Sequence, residues 1–224
     1  MARTIATQPG DTPPGKSLVG LYPPPIAGHG LVLHPWNEAL LAQVAGWGAR
    51  GFPYHAFDMT HLNQPSRARG VLARMTENGP HRHFVAVEGG TAVGRASVNL
   101  RDEAGLYLWS VHVPPEHEGR GVCRRMLATL MEWLEQEFAG GPDFILSTNA
   151  FATHAHRAYG ALGFETFETR WHYDKEIAEL LWRVPPEERE PVSKHVRFAN
   201  GRWEVRTHLM RRRHGAPMST GAGR

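Results

Sequence analysis

Residues 107–131 read YLWSVHVPPEHEGRGVCRRMLATLM, and the order of features in this stretch decides how the rest of the chain is read. An apolar, strand-like run from Tyr107 to Val113 meets two prolines. Glu118, Gly119, Arg120 and Gly121 follow, and Met126, Leu127, Leu130, Leu134 and Phe138 then recur at helical spacing. A strand, a glycine-bearing loop and a helix in that order make an anion site. Glycine lets backbone N–H groups come close to a phosphate, and the positive end of the helix points at the same spot. The stretch predicts the seat of a phosphorylated ligand.

Working outward, Leu31–Leu33 predicts a strand and Pro35 and Asn37 start a helix that reaches Trp47. Residues 51–65 are irregular and aromatic, and a second helix is expected over Ser66–Thr76. His83–Val87 and Ala92–Leu100 read as strands joined by a turn at Glu88, Gly89 and Gly90. The central strand spans Gly105–Val113 and the long helix runs from Gly121 to Phe138, closed by Gly140, Gly141 and Pro142. Phe144–Ser147 is a short buried strand. A helix from Thr153, as N-cap, to Leu162 follows, closed by Gly163. Phe164–Tyr173 and Trp203–Met210 are strands, with a helix over Ile177–Arg183 that Pro185 and Pro186 interrupt. The pattern predicts an α/β domain with a mixed, largely antiparallel central sheet flanked by helices.

Composition narrows the class. With 224 residues, 41% of them hydrophobic, the chain holds enough apolar side chains for one sizeable core. Residues 1–28 are rich in proline and glycine and read as a flexible leader; residues 29–211 form the domain; residues 212–224 are a basic flexible tail. Gly10, Gly15, Lys16 and Ser17 fit the spacing of a nucleotide-binding P-loop, but no strand precedes them and Pro23–Pro25 forbid the long helix that must follow. No apolar run approaches the roughly 18 residues of a membrane span, and the N-terminal residues lack the apolar centre of a signal peptide, so no membrane partner and a cytoplasmic location are expected. Cys123 is the sole cysteine, which excludes an intrachain disulfide and a cysteine-based metal cluster. The net charge of +3 sits largely in the tail, without aromatics or a nucleic-acid module, so nucleic acid is not an expected partner.

Two segments together resemble the GNAT acetyltransferases. That family pairs a strand with a loop of the form Arg/Gln-x-x-Gly-x-Gly/Ala opening a long helix, and later carries Ala-x-x-Leu-Tyr-x-x-x-Gly-Phe. Here Glu118–Cys123 takes the first role and Ala155–Phe164 the second, and the order of elements from Leu31 to Met210 agrees. Two positions depart from the pattern: Glu118 replaces the basic or amide residue, and Cys123 replaces the small one. A carboxylate beside a pyrophosphate costs up to about 4 kcal/mol near a protein surface, and Arg120, Arg124 and Arg125 are at hand to offset it.

The resemblance implies an N-acetyltransferase that moves an acetyl group from acetyl-CoA, as acyl donor and without a metal, to an amine. The acceptor is a primary amine of a small molecule, such as an antibiotic or metabolite, or a peptide N-terminus. Glu118, Gly119, Arg120, Gly121, Val122, Cys123 and Arg124 are the expected pyrophosphate cradle. Val111, His112 and Val113 lie on the strand whose exposed main chain pairs with the pantetheine arm, and an N–H near Val111 polarises the thioester carbonyl. Asn149 bonds a pantetheine amide. Tyr159 matches the family's thiolate-protonating tyrosine. For the base, Glu103 at the entry to the central strand, His112 and a chain of waters stay open. Alternation puts His112 on one face of its strand and Val111 and Val113 on the other. Trp47, Phe52, Tyr54 and Phe57 form an aromatic wall beside the acceptor. The pairs His81/His83 and His154/His156 lack an acidic or cysteine partner in phase, which argues against metal. A non-catalytic CoA-binding module, motivated by Glu118 and Cys123, and transfer of a longer acyl chain are the rival readings. The segment over residues 177–200 is longer than its connection needs, and a lid over the acceptor and a homodimer contact both stay open.

Overall fold

A computed structural model of the chain describes residues 23–54, 62, 64–77, 79–174, 177 and 180–217. The P-loop-like residues and Phe57 lie outside them. The described elements are β1 (Ile26–Gly28), β2 (Leu31–Pro35), α1 (Glu38–Ala45), α2 (Pro65–Met75), β3 (His81–Glu88), β4 (Thr91–Asp102), β5 (Gly105–His112), α3 (Val122–Glu137), β6 (Phe144–Asn149), α4 (Thr153–Gly160), β7 (Glu165–Tyr173), α5 (Pro186–Ser193), β8 (Val196–Ala199) and β9 (Arg202–Arg212). They form one sheet in the order β1-β2-β3-β4-β5-β6-β9-β7, with β8 beside β9. Every pair is antiparallel except β5–β6. The expected mixed, largely antiparallel α/β class is what the chain adopts.

The local chemistry explains most of the elements. Asn37 caps α1, its Oδ1 accepting from the Leu40 N–H at 2.9 Å. Gly89 and Gly90, both at positive φ, close β3 onto β4 in two residues. The parallel β5–β6 pair needs a crossover, and α3, 16 residues or about 24 Å long, supplies it. Met126, Leu127, Leu130, Met131 and Leu134 of α3 pack with Leu33, Phe84, Val98, Leu106, Leu108, Phe144 and Leu146 in the main core. On the opposite face, Trp36, Leu40, Leu41, Val44 and Trp47 cover Val85 and Ala92. A third cluster joins Phe151, Ile177, Leu181, Val192 and Val205.

Several expectations need correction. The sheet runs past both ends of residues 29–211: Ile26–Gly28 pairs with β2, and Arg212 ends β9 almost wholly buried with Nη1 2.7 Å from Glu135. Three residues between prolines and glycines carry too little alternation to announce a strand. Pro185 and Pro186 do interrupt the chain's helical run, since residues 182–185 are turn and coil, but Pro186 also opens a further helix, α5, that the sequence pattern does not announce. A first-turn residue needs no N–H partner, and Glu187 and Glu188 sit favourably at that helix end. Thr153 is the first residue of α4 rather than its cap; Ala152 holds the cap position, and no side chain bonds there.

The face away from α3 buries polar groups. His83 bonds Ser97 Oγ through Nδ1 at 2.8 Å, and burial together with nearby His81, Arg95 and Arg82 pulls its pKa down to about 4. His112, opposite Arg95 in the β4–β5 register, stacks at 5.3 Å on Trp47. Burial, then Arg95 and Arg50, takes its pKa down to about 3. Both rings are neutral when folded and titrate near 6.5 when unfolded. The unfolded chain therefore binds more protons below pH 6.5, and stability falls as pH drops. Each histidine contributes up to about 1.4 kcal/mol per pH unit, ending near pH 4 for His83 and near pH 3 for His112. Urea unfolding between pH 7 and 4 should show this slope, and His83→Gln should flatten it; a pH-independent midpoint would contradict the assignment.

Glycine substitutions should split by sign. A Cβ on Gly105, at φ +149, meets the Asp143 carbonyl at 2.4 Å where β5 joins β6, whereas one on Gly70 within α2 finds ordinary room. Gly105→Ala should destabilise by roughly 2–3 kcal/mol, and Gly70→Ala should stabilise by roughly 0.5–1 kcal/mol, both read by denaturant titration.

Candidate active site

The site begins with a main-chain irregularity. Ser110 has φ +52, and the β4–β5 register slips so that Arg95 faces His112 while Ser97 faces Trp109. Ser110 and Val111 thus oppose a single residue of β4, a bulge that bends β5 and reverses its alternation. Leu106 and Leu108 point into the main core, but beyond the bulge Val111 and Val113 pack there instead, and His112 turns to Trp47. The β5–β6 pairing ends at Leu108 and Leu146, although β6 continues to Asn149 along β9. The two strands part, and a cavity of about 690 Å³ opens between them.

On the α3 side the cavity is lined by Gly119, Gly121, Val122, Cys123, Arg124, Ala155, Ala158 and Tyr159. Gly119 and Gly121 both have positive φ, and a Cβ on either would meet nothing within 4 Å, so the loop surface is open main chain. Gly121 is the N-cap of α3 and brings no side chain to bond the helix end, and Val122, Cys123 and Arg124 of the first turn line the cavity. That arrangement fits a pyrophosphate. Val122 is buried, so what it offers a ligand is its N–H. Burial pushes the Cys123 thiol up to about 12, so it carries no charge here and is no nucleophile. Tyr159 is buried, with Phe164 at 6.2 Å between ring centres; desolvation, then Cys123, raises its pKa far above the ordinary 10.0.

The departure at Glu118 has a structural answer. Its carboxylate is ion-paired with Arg50, which also donates to the Val113 carbonyl. The Gly48 N–H bonds Glu116 at 3.3 Å. From there residues 50–54 cross the mouth of the cavity. Tyr54 meets α4 on the far side: its hydroxyl lies 3.4 Å from His154 Nδ1, and its ring packs on Phe151 at 5.9 Å. Phe52 and Tyr54 adjoin the third core cluster, which places Ile177, Leu181 and Val192 beside this crossing segment.

The expected residues separate into two groups. Tyr159, Val111, His112, Val113, Glu118, Gly119, Gly121, Val122, Cys123, Arg124 and Asn149 all line the cavity. Glu103 does not. It is exposed in the turn between β4 and β5, at the far end of the strand, and roughly 30 Å of extended chain separates it from His112. Arg120 points outward to Glu88 at 2.6 Å and to His117 at 3.0 Å, and Arg125 shares Glu88. Trp47 is buried under His112 rather than exposed as an acceptor wall. Arg50, His172 and Thr207 converge here only through tertiary contacts, and no local spacing marks them; His154, marked in the sequence only as half of the His154/His156 pair, joins them at the cavity. No cluster suited to a metal ion occurs among the described residues.

Residues 46–164 match the acetyltransferase (GNAT) family. The N-alpha-acetyltransferase RimI of Mycobacterium tuberculosis is 33% identical over 98 residues, which are 42% of this chain and 59% of that protein. The chain thus matches less than two thirds of the length of that curated relative. Among solved structures, a spermidine N-acetyltransferase from Vibrio cholerae in complex with CoA and spermine superposes with a TM-score of 0.53 at 15% identity, over 83% of this chain and 96% of that one. The ribosomal-protein-S18-alanine N-acetyltransferase from Escherichia coli gives a TM-score of 0.51 at 15% identity, over 85% and 97%. At such identities these two speak for the fold. The family match covers more than half of the residues, and this chain belongs to the GNAT family of acetyltransferases.

Proposed function

We propose that the protein is a cytoplasmic acetyl-CoA-dependent N-acetyltransferase whose acceptor is a small-molecule amine or a peptide N-terminus. The observation that carries the reading is the parting of β5 from β6 with Tyr159 and the uncapped end of α3 in one cavity. Acetyl-CoA supplies an activated acyl group as a thioester. The amides of residues 119–124, with Arg124, hold its pyrophosphate, and Asn149 and the free edge of β5 hold the pantetheine. The Val111 N–H polarises the thioester carbonyl.

The raised pKa of Tyr159 shapes its role. A phenol held that far up is a poor acid by itself. It serves better as a relay, giving its proton to the departing sulfur while taking one from the newly bonded amine nitrogen. The ring then stays neutral in its buried site throughout. Tyr159→Phe should lower kcat by about 10²–10³-fold and leave acetyl-CoA affinity within about threefold of the parent. Calorimetry with acetyl-CoA, followed by thiol release with spermidine, tyramine and an alanine-initiated tetrapeptide, tests the function. Absence of acetyl-CoA binding would sink it, and binding without CoA release on a wider amine panel would favour the non-catalytic module.

Arg50 neutralises the carboxylate that the loop carries in place of the family's usual residue. Arg50→Ala should therefore weaken acetyl-CoA binding about tenfold, and adding Glu118→Gln should recover most of it. Equal, additive losses from the two substitutions would show that the pair does not act as one unit.

A further inference from the structure

The reaction needs a group to take a proton from the acceptor, because an ammonium has no lone pair. Glu103 is at the wrong end of β5, and His112 packs on Trp47 beside Arg95. Among the described residues, three other histidines line the cavity. His117 faces the Arg120 guanidinium at 3.0 Å, on the pyrophosphate rim. His172 turns Nδ1 to Thr207 Oγ1 at 2.5 Å, on β7. His154 stands on α4, the helix that carries Tyr159, and faces Tyr54 across the mouth.

We propose that His154 accepts the proton of the acceptor ammonium, with Tyr54 as the positioning residue for its ring. The inference rests on the acetyltransferase reading above. Tyr54 meets His154 edge-on, with ring centres 5.1 Å apart, and its oxygen lies 3.4 Å from Nδ1. When Nδ1–H donates to that oxygen, the lone pair resides on Nε2, the tautomer a base requires. Tyr54 is itself fixed by Phe151 and by the Arg50 anchor on Val113 and Glu118. Among the described residues, the charged and titratable groups around His154 are Glu118, Arg50, Arg157 and His156, with Tyr54 as the neutral neighbour. Burial lowers its pKa first; Glu118 opposes this, and Arg50 and Arg157 add to it. The ring is therefore unprotonated at neutral pH and ready to accept.

The protons balance. His154 Nε2 takes one from R–NH3⁺ and later releases it to solvent. The freed lone pair forms the N–C bond and the C–S bond breaks. The second nitrogen proton passes through Tyr159 to the sulfur. The products are the amide, CoA thiol and one proton.

The test is His154→Gln, with Tyr54→Phe and His172→Gln beside it, assayed with acetyl-CoA and whichever of spermidine, tyramine and the alanine-initiated peptide the parent uses fastest. His154→Gln should lose about 10²–10³-fold in kcat/KM at pH 7 while its acetyl-CoA affinity holds. The parent's rate should plateau above about pH 6.5, whereas the variant's should climb about tenfold per pH unit toward the pKa of the amine. Tyr54→Phe should lose less and should shift the His154 tautomer ratio read by ring ¹⁵N NMR. A His154→Gln enzyme with parental rate and pH profile overturns the proposal, as does a loss found in His172→Gln instead, and both leave the acetyltransferase reading intact. A parent that binds no acetyl-CoA overturns that reading, and this one with it.

Discussion

The end of main-chain pairing between β5 and β6, after Leu108 and Leu146, is the constraint on which the rest of the site depends. Inside a sheet, unpaired N–H and C=O groups cost about 1–3 kcal/mol each when they are buried and unsatisfied. The fold meets that demand in two ways. The bulge at Ser110 bends β5 away while keeping it bonded to β4, and the parted edges line a cavity where a ligand's amides or water can bond them. Arg50 satisfies the Val113 carbonyl from outside. Placing α3 next after β5 in the chain then sets the helix end at the mouth of the same gap.

Charge in the gap follows from that placement. The amides at the start of α3 and Arg124 are positive, and among the described lining residues the carboxylate is Glu118, held by Arg50. Cys123 at the helix start adds a thiol rather than a thiolate, because burial holds its proton. The two departures from the family pattern thus leave the field in the cavity favourable to an anion. Arg120 and Arg125, which looked suited to that task, neutralise Glu88 on the β3–β4 hairpin and tie it to the base of α3.

The strand, loop and helix over residues 107–131 were legible because each obeys a local rule: alternation, glycine at positive φ and a period of 3.6. The same holds for α1 with its Asn37 cap and for the Gly89–Gly90 turn. What escaped local reading is what long-range contact decides. A three-residue strand such as β1 exists because β2 offers it an edge, and α5 starts on a proline because the first helical turn does not need that N–H. Alternation placed Val111 and His112 on opposite faces, but the bulge decided which face each received. Arg50 and Tyr54 reach the cavity by crossing it, and a segment that crosses has no periodicity to report.

Segment 50–54 also couples the two walls of the cavity. One end is pinned to β5 and the loop through Arg50, and the other rests on α4 through Tyr54. A movement of either wall must shift Tyr54 relative to His154 or strain the Arg50 contacts. Occupancy of the anion loop and the orientation of the His154 ring are then linked through Glu118, Arg50 and Tyr54. A phosphate that draws Arg50 from Glu118 would also increase the negative charge felt by His154 and raise its proton affinity. In this geometry the anion loop and the His154 side of the cavity share one set of contacts, so a ligand at either one changes the affinity of the other by the same factor.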